Sequence, residues 1–136
     1  MSRSGYSDDC EYMGLYRGAV DRAFAGKRGQ SFLKELADAM DAMPEKKLIS
    51  DELITSNGEM CTIGVVCKAR GIDVSGVDVE DAECVGKLVG IARSMAAEIE
   101  YMNDEQGKYD ETPENRWTRM RKWIQSEIKE PKKEES

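Results

Sequence analysis

Histidine is absent from this sequence of 136 residues. Its absence removes the commonest general base, the commonest metal ligand, and the base of the Ser-His and Cys-His pairs that serve nucleophilic catalysis. Hydrolases that work through such pairs are therefore disfavoured. The sequence predicts no catalytic residue, no metal site and no cofactor.

Long apolar runs are also missing. None approaches the roughly 18 consecutive residues that a membrane-spanning helix needs. The opening residues, MSRSGYSDD, contain no apolar core of a secretory signal. We therefore predict a cytoplasmic protein without membrane association.

Cysteine is present, but not in a metal-binding pattern. Cys10, Cys61, Cys67 and Cys84 are separated by 51, 6 and 17 positions, which matches no zinc motif, and a cytosolic chain of this size needs no disulfide. Cys61 precedes a predicted helix, a position that suits a reactive thiol. Because it lies in an apolar run and the chain offers no histidine partner, packing is the favoured interpretation.

Charge is abundant and unevenly distributed. The net charge is −7, to which residues 1–29 contribute +1, residues 30–111 contribute −10 and residues 112–136 contribute +2. Apolar residues still reach 40%, enough for a buried core. We predict one globular domain over residues 1–129 and a solvated tail over residues 130–136. The acidic middle favours basic partners and disfavours nucleic acid.

Apolar residues recur at helical spacing along most of the chain. The pattern predicts helices over residues 11–26, 31–43, 62–70, 79–101 and 113–129. Ser31 is expected to cap the second helix. Asn57-Gly58, between two short apolar runs, is a strong hairpin signal and predicts a two-stranded β-ribbon near residues 48–62. The expected fold class is therefore mostly α (α+β), with about five helices around one core and this small ribbon.

The segment 71–83 is rich in acids, and two interpretations are open. Its carboxylates could bind calcium, but an EF-hand loop needs acids at alternate positions before its glycine, whereas Gly76 precedes most of the acids here. The simpler interpretation is that Asp78 caps the long helix. Glu80 and Asp81 would then lie in its first turn, where they interact favourably with the helix dipole.

Gly86, Gly90 and Ser94 lie four residues apart in the long predicted helix. Small side chains at this spacing leave a smooth strip on which another helix can approach closely. If the strip is exposed, it supports a homodimer, which is therefore one of the predicted partners.

The stretches MSRSGYSDD, AGKRGQSFLKE, NGEMCTIG, GIARSMAAEIEYMNDE and ETPENRWTRMRKWI are spread over nearly the whole chain. Together they resemble a family of short uncharacterised proteins found mainly in phages and prophages. The resemblance implies a phage or prophage origin, and hence the cytoplasm of a host cell. It implies no activity and no site residues.

Cys61-Thr62-Ile63-Gly64, with the later Asn103-Asp104, also resembles a broader family of domains of unknown function. That family's usual Cys-Ala-Ile-Gly-Ala differs here at Thr62 and Val65. In physical terms, Gly64 is expected at a position where the backbones of two helices meet. Asn103 and Asp104 are expected to satisfy polar groups at the end of a helix or in the next turn.

From these features we predict a small acidic interaction protein that binds and modulates a host protein complex through a basic surface of the partner. Acidic side chains can replace the phosphates of nucleic acid in a basic groove, so an inhibitor of a host-defence enzyme is one form of this hypothesis. The predicted partner-binding residues are Asp73, Asp78, Glu80, Asp81, Glu83, Glu98, Asp104 and Glu105.

Two alternatives remain open. A small enzyme or ligand-binding domain could use Glu98, Asp104 and Glu105, beside Tyr101, because carboxylates that share a pocket can take different pKa values and divide the acid and base roles. Nucleic acid could instead bind four basic residues, Lys27, Arg28, Arg116 and Arg119, since the last helix interleaves basic residues with tryptophans. Those arginines could equally pair with acids of the same chain.

Overall fold

A computed structural model describes residues 4–104 and 110–129, with side chains from residue 15 onward. The helices of these residues are α1 (Ser4–Ala25), α2 (Lys27–Asp41), α3 (Thr62–Arg70), α4 (Ala82–Val89), α5 (Arg93–Asp104) and α6 (Pro113–Glu127). The prediction of a mostly helical fold is confirmed. The predicted tail, residues 130–136, lies outside the described residues.

The core forms where three helices bring apolar side chains together at intervals of three and four residues. The fully buried side chains of these helices are Leu33, Leu36 and Met40 of α2, Met95 and Ile99 of α5, and Met120 and Ile124 of α6. Helix α5 packs against α1, α3, α4 and α6, so it is the central helix of the fold.

Helices α1 and α2 meet at a sharp elbow that depends on Gly29. A Cβ at this position would lie 1.9 Å from the carbonyl oxygen of Ala23, so only glycine lets α2 approach the end of α1 this closely. The prediction that Ser31 caps α2 is wrong, because α2 begins four residues earlier, at Lys27.

The long helix predicted over residues 79–101 is two helices. Helix α4 ends at Gly90, whose φ of 82° is left-handed, and the N–H of Ile91 turns back to the carbonyl oxygen of Gly86. Gly86 is buried by this turn, since a Cβ there would lie 2.8 Å from the carbonyl oxygen of Ile91. Gly86, Gly90 and Ser94 therefore do not form the continuous strip on which the homodimer prediction depends.

The predicted two-stranded β-ribbon does not form. Within residues 4–104 and 110–129 the strand-type pairing is limited to one isolated antiparallel bridge, between Ile54 and Met60. The predicted turn at residues 57–58 is present. Pairing does not extend further, because Asp51, with a φ of 74°, bends the chain on one side and the other side enters α3 at Thr62.

Two predicted helix ends are confirmed. Gly71 closes α3 in the left-handed conformation, with a φ of 72°. Thr112 caps α6, since its side-chain oxygen accepts the N–H of Asn115 at 3.1 Å and Pro113 occupies the first position of the helix.

Candidate functional site

Asn103, at the end of α5, is fully buried and joins four parts of the chain. Its side-chain oxygen accepts hydrogen bonds from the backbone N–H (3.1 Å) and the hydroxyl (2.7 Å) of Thr62, the first residue of α3. Its side-chain amide donates to the carbonyl oxygen of Ile49 (2.9 Å) and to the carboxylate of Asp104 (2.6 Å). Because Arg116 of α6 also donates to the carbonyl oxygen of Asn103 (3.0 Å), three helices and residue 49 are held at one point.

Gly64, near the start of α3, lets the segment 51–56 lie directly against that helix. A Cβ at Gly64 would lie 1.9 Å from the carbonyl oxygen of Leu53. That oxygen accepts the N–H of Cys61 at 3.1 Å, which fixes the segment in place. The close backbone contact expected at Gly64 is present, but the expectation of a second helix there is wrong, because the contact is with the non-helical segment 51–56. This segment forms the first wall of a cleft.

The second wall belongs to the segment 72–81, between α3 and α4. The side chains of Asp73 and Asp78 each accept a backbone N–H from two residues further on, those of Ser75 and Glu80, both at 2.9 Å. The N–H of Ser75 lowers the pKa of Asp73 below its ordinary value. These local hydrogen bonds shape the segment without a helix or a strand.

Asp81 ends this second wall as the N-cap of α4, where its side chain accepts the N–H of Cys84 at 3.1 Å. The prediction that Asp78 is the cap is therefore wrong, and Asp78 stays exposed in the wall. Glu83, in the first turn of α4, pairs with Lys87 at 3.6 Å.

Between the two walls lies a cleft of about 550 Å³, lined by residues 51–56 and 74–79, which we call the acidic cleft. Its apolar side chains are buried or half-buried: Leu53, Ile54, Val74, Val77 and Val79. Its acidic side chains are exposed: Asp51, Glu52 and Asp78. Among the described residues that line the cleft, none is basic.

Glu100 of α5 lies beside the acidic cleft. With Asp104 it lines a cavity of about 10 Å³ that shares Val79 with the cleft. The pKa of Glu100 is raised to about 7, first by burial and then by four carboxylates, those of Asp104, Glu80, Asp78 and Asp51. Burial likewise raises the pKa of Asp104. Glu100 forms no ion pair with another described residue.

Replacing Glu100 by glutamine is expected to remove a pH dependence of stability. The unfolded chain keeps the ordinary pKa of 4.5, whereas the folded protein has a pKa of about 7 at this residue. Between these values the folded protein binds more protons than the unfolded chain, so this group's contribution to the free energy of unfolding falls as the pH rises. At about pH 8 the variant is expected to be more stable than the wild type by about 1–2 kcal/mol, after allowance for solvent screening.

The measurement is urea unfolding of both proteins at several pH values from about 5 to about 8. The matched control is Glu45→Gln, since Glu45 is exposed and outside this cluster. The free energy of unfolding of this control should differ from that of the wild type by the same amount at every pH in that range. If the difference between Glu100→Gln and the wild type also stays constant with pH, the raised pKa of Glu100 is contradicted.

Cys61 lies in the wall of the same small cavity, immediately before α3. Burial raises the pKa of its thiol to about 12, so the reactive thiolate is not formed at neutral pH. Only 6% of the residue is exposed. The structure therefore supports the interpretation that Cys61 fills space, as does the buried Cys67.

The structure brings together only some of the predicted partner-binding acids. Three of them surround Glu100: Asp78, Glu80 and Asp104. Glu98 instead pairs with Arg17 of α1 at 3.2 Å. Glu105 lies outside the described residues.

Sequence reasoning missed Asp51, Glu52 and Glu100. A signal existed for Glu100, because it precedes Asp104 by four residues and side chains at this spacing lie on the same face of a helix. No comparable signal existed for Asp51 or Glu52, whose positions depend on the contact between the segment 51–56 and α3.

Arg116 and Arg119, predicted as part of a nucleic-acid surface, are engaged with an acid of the same chain. Arg119 donates two hydrogen bonds to Glu111, at 2.6 and 3.0 Å, and Arg116 forms an ion pair with it at 3.3 Å. These side chains are only 14% (Arg116) and 25% (Arg119) exposed. Arg119, more than Arg116, lowers the pKa of Glu111.

Lys27 and Arg28, the other two residues of that predicted surface, are exposed at the start of α2. This end of α2 lies beside the end of α6, where Gln30 donates to the carbonyl oxygen of Glu127 at 3.0 Å. Residues 116 to 127 of α6 span roughly 16 Å, because an α-helix rises by about 1.5 Å per residue. The four basic residues therefore do not form one continuous surface.

The fold and the site define a small, mostly helical protein with an acidic cleft beside its central helix. Comparison of the chain with protein-family models, with curated proteins and with solved structures found no match. Within the described ranges, no helix combines the length and the apolar character needed to cross a membrane. In the same part of the chain, no group of three or more cysteines or carboxylates is arranged to hold a metal ion.

Proposed function

We propose that this chain is an interaction protein that binds a basic surface of a protein partner. The observation that supports the proposal is the gathering of four carboxylates around the half-buried Glu100, whose pKa is raised to about 7 first by burial and then by those carboxylates. Three segments contribute these carboxylates: residue 51, residues 78–80 and the end of α5.

Crowded, partly buried carboxylates have an unfavourable free energy unless cations accompany them. Lysine or arginine side chains of a partner would provide those cations and offset the repulsion. Because opposite charges also steer diffusional encounter, the partner should associate quickly, and salt should weaken the complex. In a phage or prophage setting, such a partner is a host protein whose basic groove binds nucleic acid, with these carboxylates in place of phosphates.

Binding is favoured over catalysis by the size of the space beside Glu100 and Asp104. Their cavity of about 10 Å³ has room for about one water molecule and not for a substrate. Glu98, one of the carboxylates of the alternative enzyme or ligand-binding hypothesis, is paired with Arg17. The acidic cleft, by contrast, is open and large enough to receive side chains of another molecule.

The test is a pull-down from bacterial lysate with the tagged protein as bait, at about 0.1 M and about 1 M salt, where charges are screened beyond about 10 Å and about 3 Å. We expect a partner retained at low salt and released at high salt. An unrelated acidic protein of the same net charge serves as control bait. The proposal is overturned if the two baits retain the same proteins, or if every specific partner survives high salt.

A further inference from the structure

The acidic cleft has the two kinds of surface that an extended basic segment needs. Its buried lining is apolar and its exposed lining is acidic, with hydroxyl groups from Thr55, Ser56 and Ser75 beside them. In an extended chain, successive side chains point to opposite sides. A segment that alternates apolar and basic residues can therefore place apolar side chains against the lining and direct cations to the acidic rim.

The negative charge of the cleft continues to Glu100 and Asp104. Val79 lines both the cleft and the cavity beside these two carboxylates. Asp51 and Asp78, on opposite walls of the cleft, both act electrostatically on Glu100. None of these acids forms an ion pair with another described residue. Arg116 of α6 acts electrostatically on Asp104, but its guanidinium is paired with Glu111 at 3.3 Å.

We propose that the acidic cleft binds a short extended segment of the partner protein in which lysine or arginine alternates with apolar residues, with one cationic side chain at the Glu100–Asp104 end. This assignment rests on the proposed function, that the chain binds a basic protein. It adds the place on the surface and the chemistry of the bound segment.

The dimensions of the cleft suit a segment rather than a folded surface. Its volume of about 550 Å³ lies within the range of about 300–1,000 Å³ found for sites that enclose small ligands. A few side chains fill such a space. The charge complementarity between an acidic rim and a basic segment decides the kind of occupant, because an acidic or neutral segment would leave the rim unpaired.

The probe is a fluorescent peptide of alternating lysine and valine, and its binding is measured by fluorescence anisotropy at about 0.1 M salt. Two further peptides, of alternating glutamate and valine and of alternating lysine and glycine, test the charge and the apolar part separately. We expect the lysine–valine peptide to bind at least about tenfold more tightly than either of the others, since each lacks one of the two complementary surfaces.

Two variants of equal charge locate the site. The cleft variant combines Glu52→Gln with Asp78→Asn, and the control variant combines Asp38→Asn with Glu45→Gln. Each removes two carboxylates from exposed positions, and neither control residue lines the cleft. The cleft variant should bind the lysine–valine peptide about five- to tenfold more weakly than the wild type, as expected for two lost surface ion pairs, and the control variant should remain within about twofold.

The pH dependence of binding gives an independent measurement on Glu100. The charged groups that face it are Asp104 on its own helix, Asp78, Glu80 and Asp51 from the walls, and, beside Asp104, Arg116 of α6. A bound cation favours the ionised form of Glu100, so the lysine–valine peptide should bind about three- to fivefold more tightly at about pH 8 than at about pH 6. In Glu100→Gln this dependence should disappear, since lysine does not titrate in that range.

Several outcomes overturn the cleft assignment and leave the proposed function standing. Equal weakening by both double variants would mean that the peptide responds only to the overall charge. If the lysine–valine and lysine–glycine peptides bind equally tightly, the apolar lining of the cleft does not contribute to binding. If the cleft variant, used as bait in the pull-down, retains the salt-released partner as fully as the wild type does, the interface lies elsewhere on the protein. The proposed function itself fails only through the pull-down, when no salt-released partner specific to this chain is found.

Discussion

Replacing Asn103 by alanine is expected to lower the free energy of unfolding by about 3–5 kcal/mol, a large part of the total stability of a domain of this size. The buried side chain makes four hydrogen bonds, to the N–H and hydroxyl of Thr62, the carbonyl oxygen of Ile49 and the carboxylate of Asp104. Alanine leaves these groups without their partner, and water does not easily reach a site that is 1% exposed. Urea or thermal unfolding measures the change.

The matched control for this prediction is Asn115→Ala. Asn115 is also an asparagine in a helix, but it is exposed, and its replacement should change the free energy of unfolding by at most about 0.5 kcal/mol. If the two variants unfold at similar urea concentrations, the hydrogen bonds of Asn103 do not stabilise the fold in the way that their geometry indicates.

The same hydrogen bonds connect the fold to the acidic cleft. Asn103 donates to Asp104, which lines the cavity next to Glu100, and accepts from Thr62, which begins the helix that supports the segment 51–56. The end of α5 and the first wall of the cleft are thereby fixed to one another. A cluster of carboxylates from three separate segments needs such a connection, because the carboxylates repel one another and would otherwise move apart.

Most of the helices could be predicted from the sequence because α2, α4, α5 and α6 each bury a stripe of residues, but the position of the break between α4 and α5 could not. The apolar periodicity runs through Gly90 without interruption, since both helices bury one face against the same core. The break depends on the left-handed conformation of Gly90 and on the close contact of Gly86 with Ile91. These contacts are local to residues 86–93, but a glycine is also tolerated inside a helix, so its presence within a helical pattern does not by itself indicate a break.

The hairpin signal at Asn57-Gly58 predicts a turn, and the turn is present, yet it does not predict a ribbon. A ladder needs several paired residues on each side of the turn. Here the pairing competes with the N-terminus of α3 on one side and with the bend at Asp51 on the other. The two residues of the signal therefore determine the turn, whereas tertiary contacts of the flanking residues determine whether strands pair.

Only some of the residues of the candidate site could be predicted from the sequence, for a related reason. Acids that are close in the sequence have local roles: Asp81 caps α4, and Glu83 pairs with Lys87 within that helix. Acids that gather around Glu100 come from segments up to 53 positions apart, a distance set by Asp51 and Asp104. Only the folded chain brings these residues together, through Gly64 and Asn103.

Gly64→Ala is the second change for which a large effect is expected, a loss of about 3–4 kcal/mol in the free energy of unfolding. The added Cβ would lie 1.9 Å from the oxygen and 2.8 Å from the carbon of the Leu53 carbonyl group. These are backbone atoms and cannot rotate away, so the segment 51–56 must move off α3 and lose the hydrogen bond from the N–H of Cys61. In a helix without such a contact, replacing glycine by alanine would raise the free energy of unfolding by up to about 1 kcal/mol. A net decrease in Gly64→Ala would therefore be due to the clash.

Gly18→Ala in α1 provides that unhindered comparison. A Cβ at Gly18 would meet only the end of the Arg22 side chain, at 3.2 Å, and this flexible group can move. We expect Gly18→Ala to raise the free energy of unfolding by up to about 1 kcal/mol, and Gly64→Ala to lower it, as measured by urea unfolding under identical conditions. Because the clash displaces the first wall of the acidic cleft, Gly64→Ala should also weaken binding of the lysine–valine peptide although it changes no charge. If Gly64→Ala matches Gly18→Ala in both stability and peptide binding, the position of the segment 51–56 does not depend on its contact with α3.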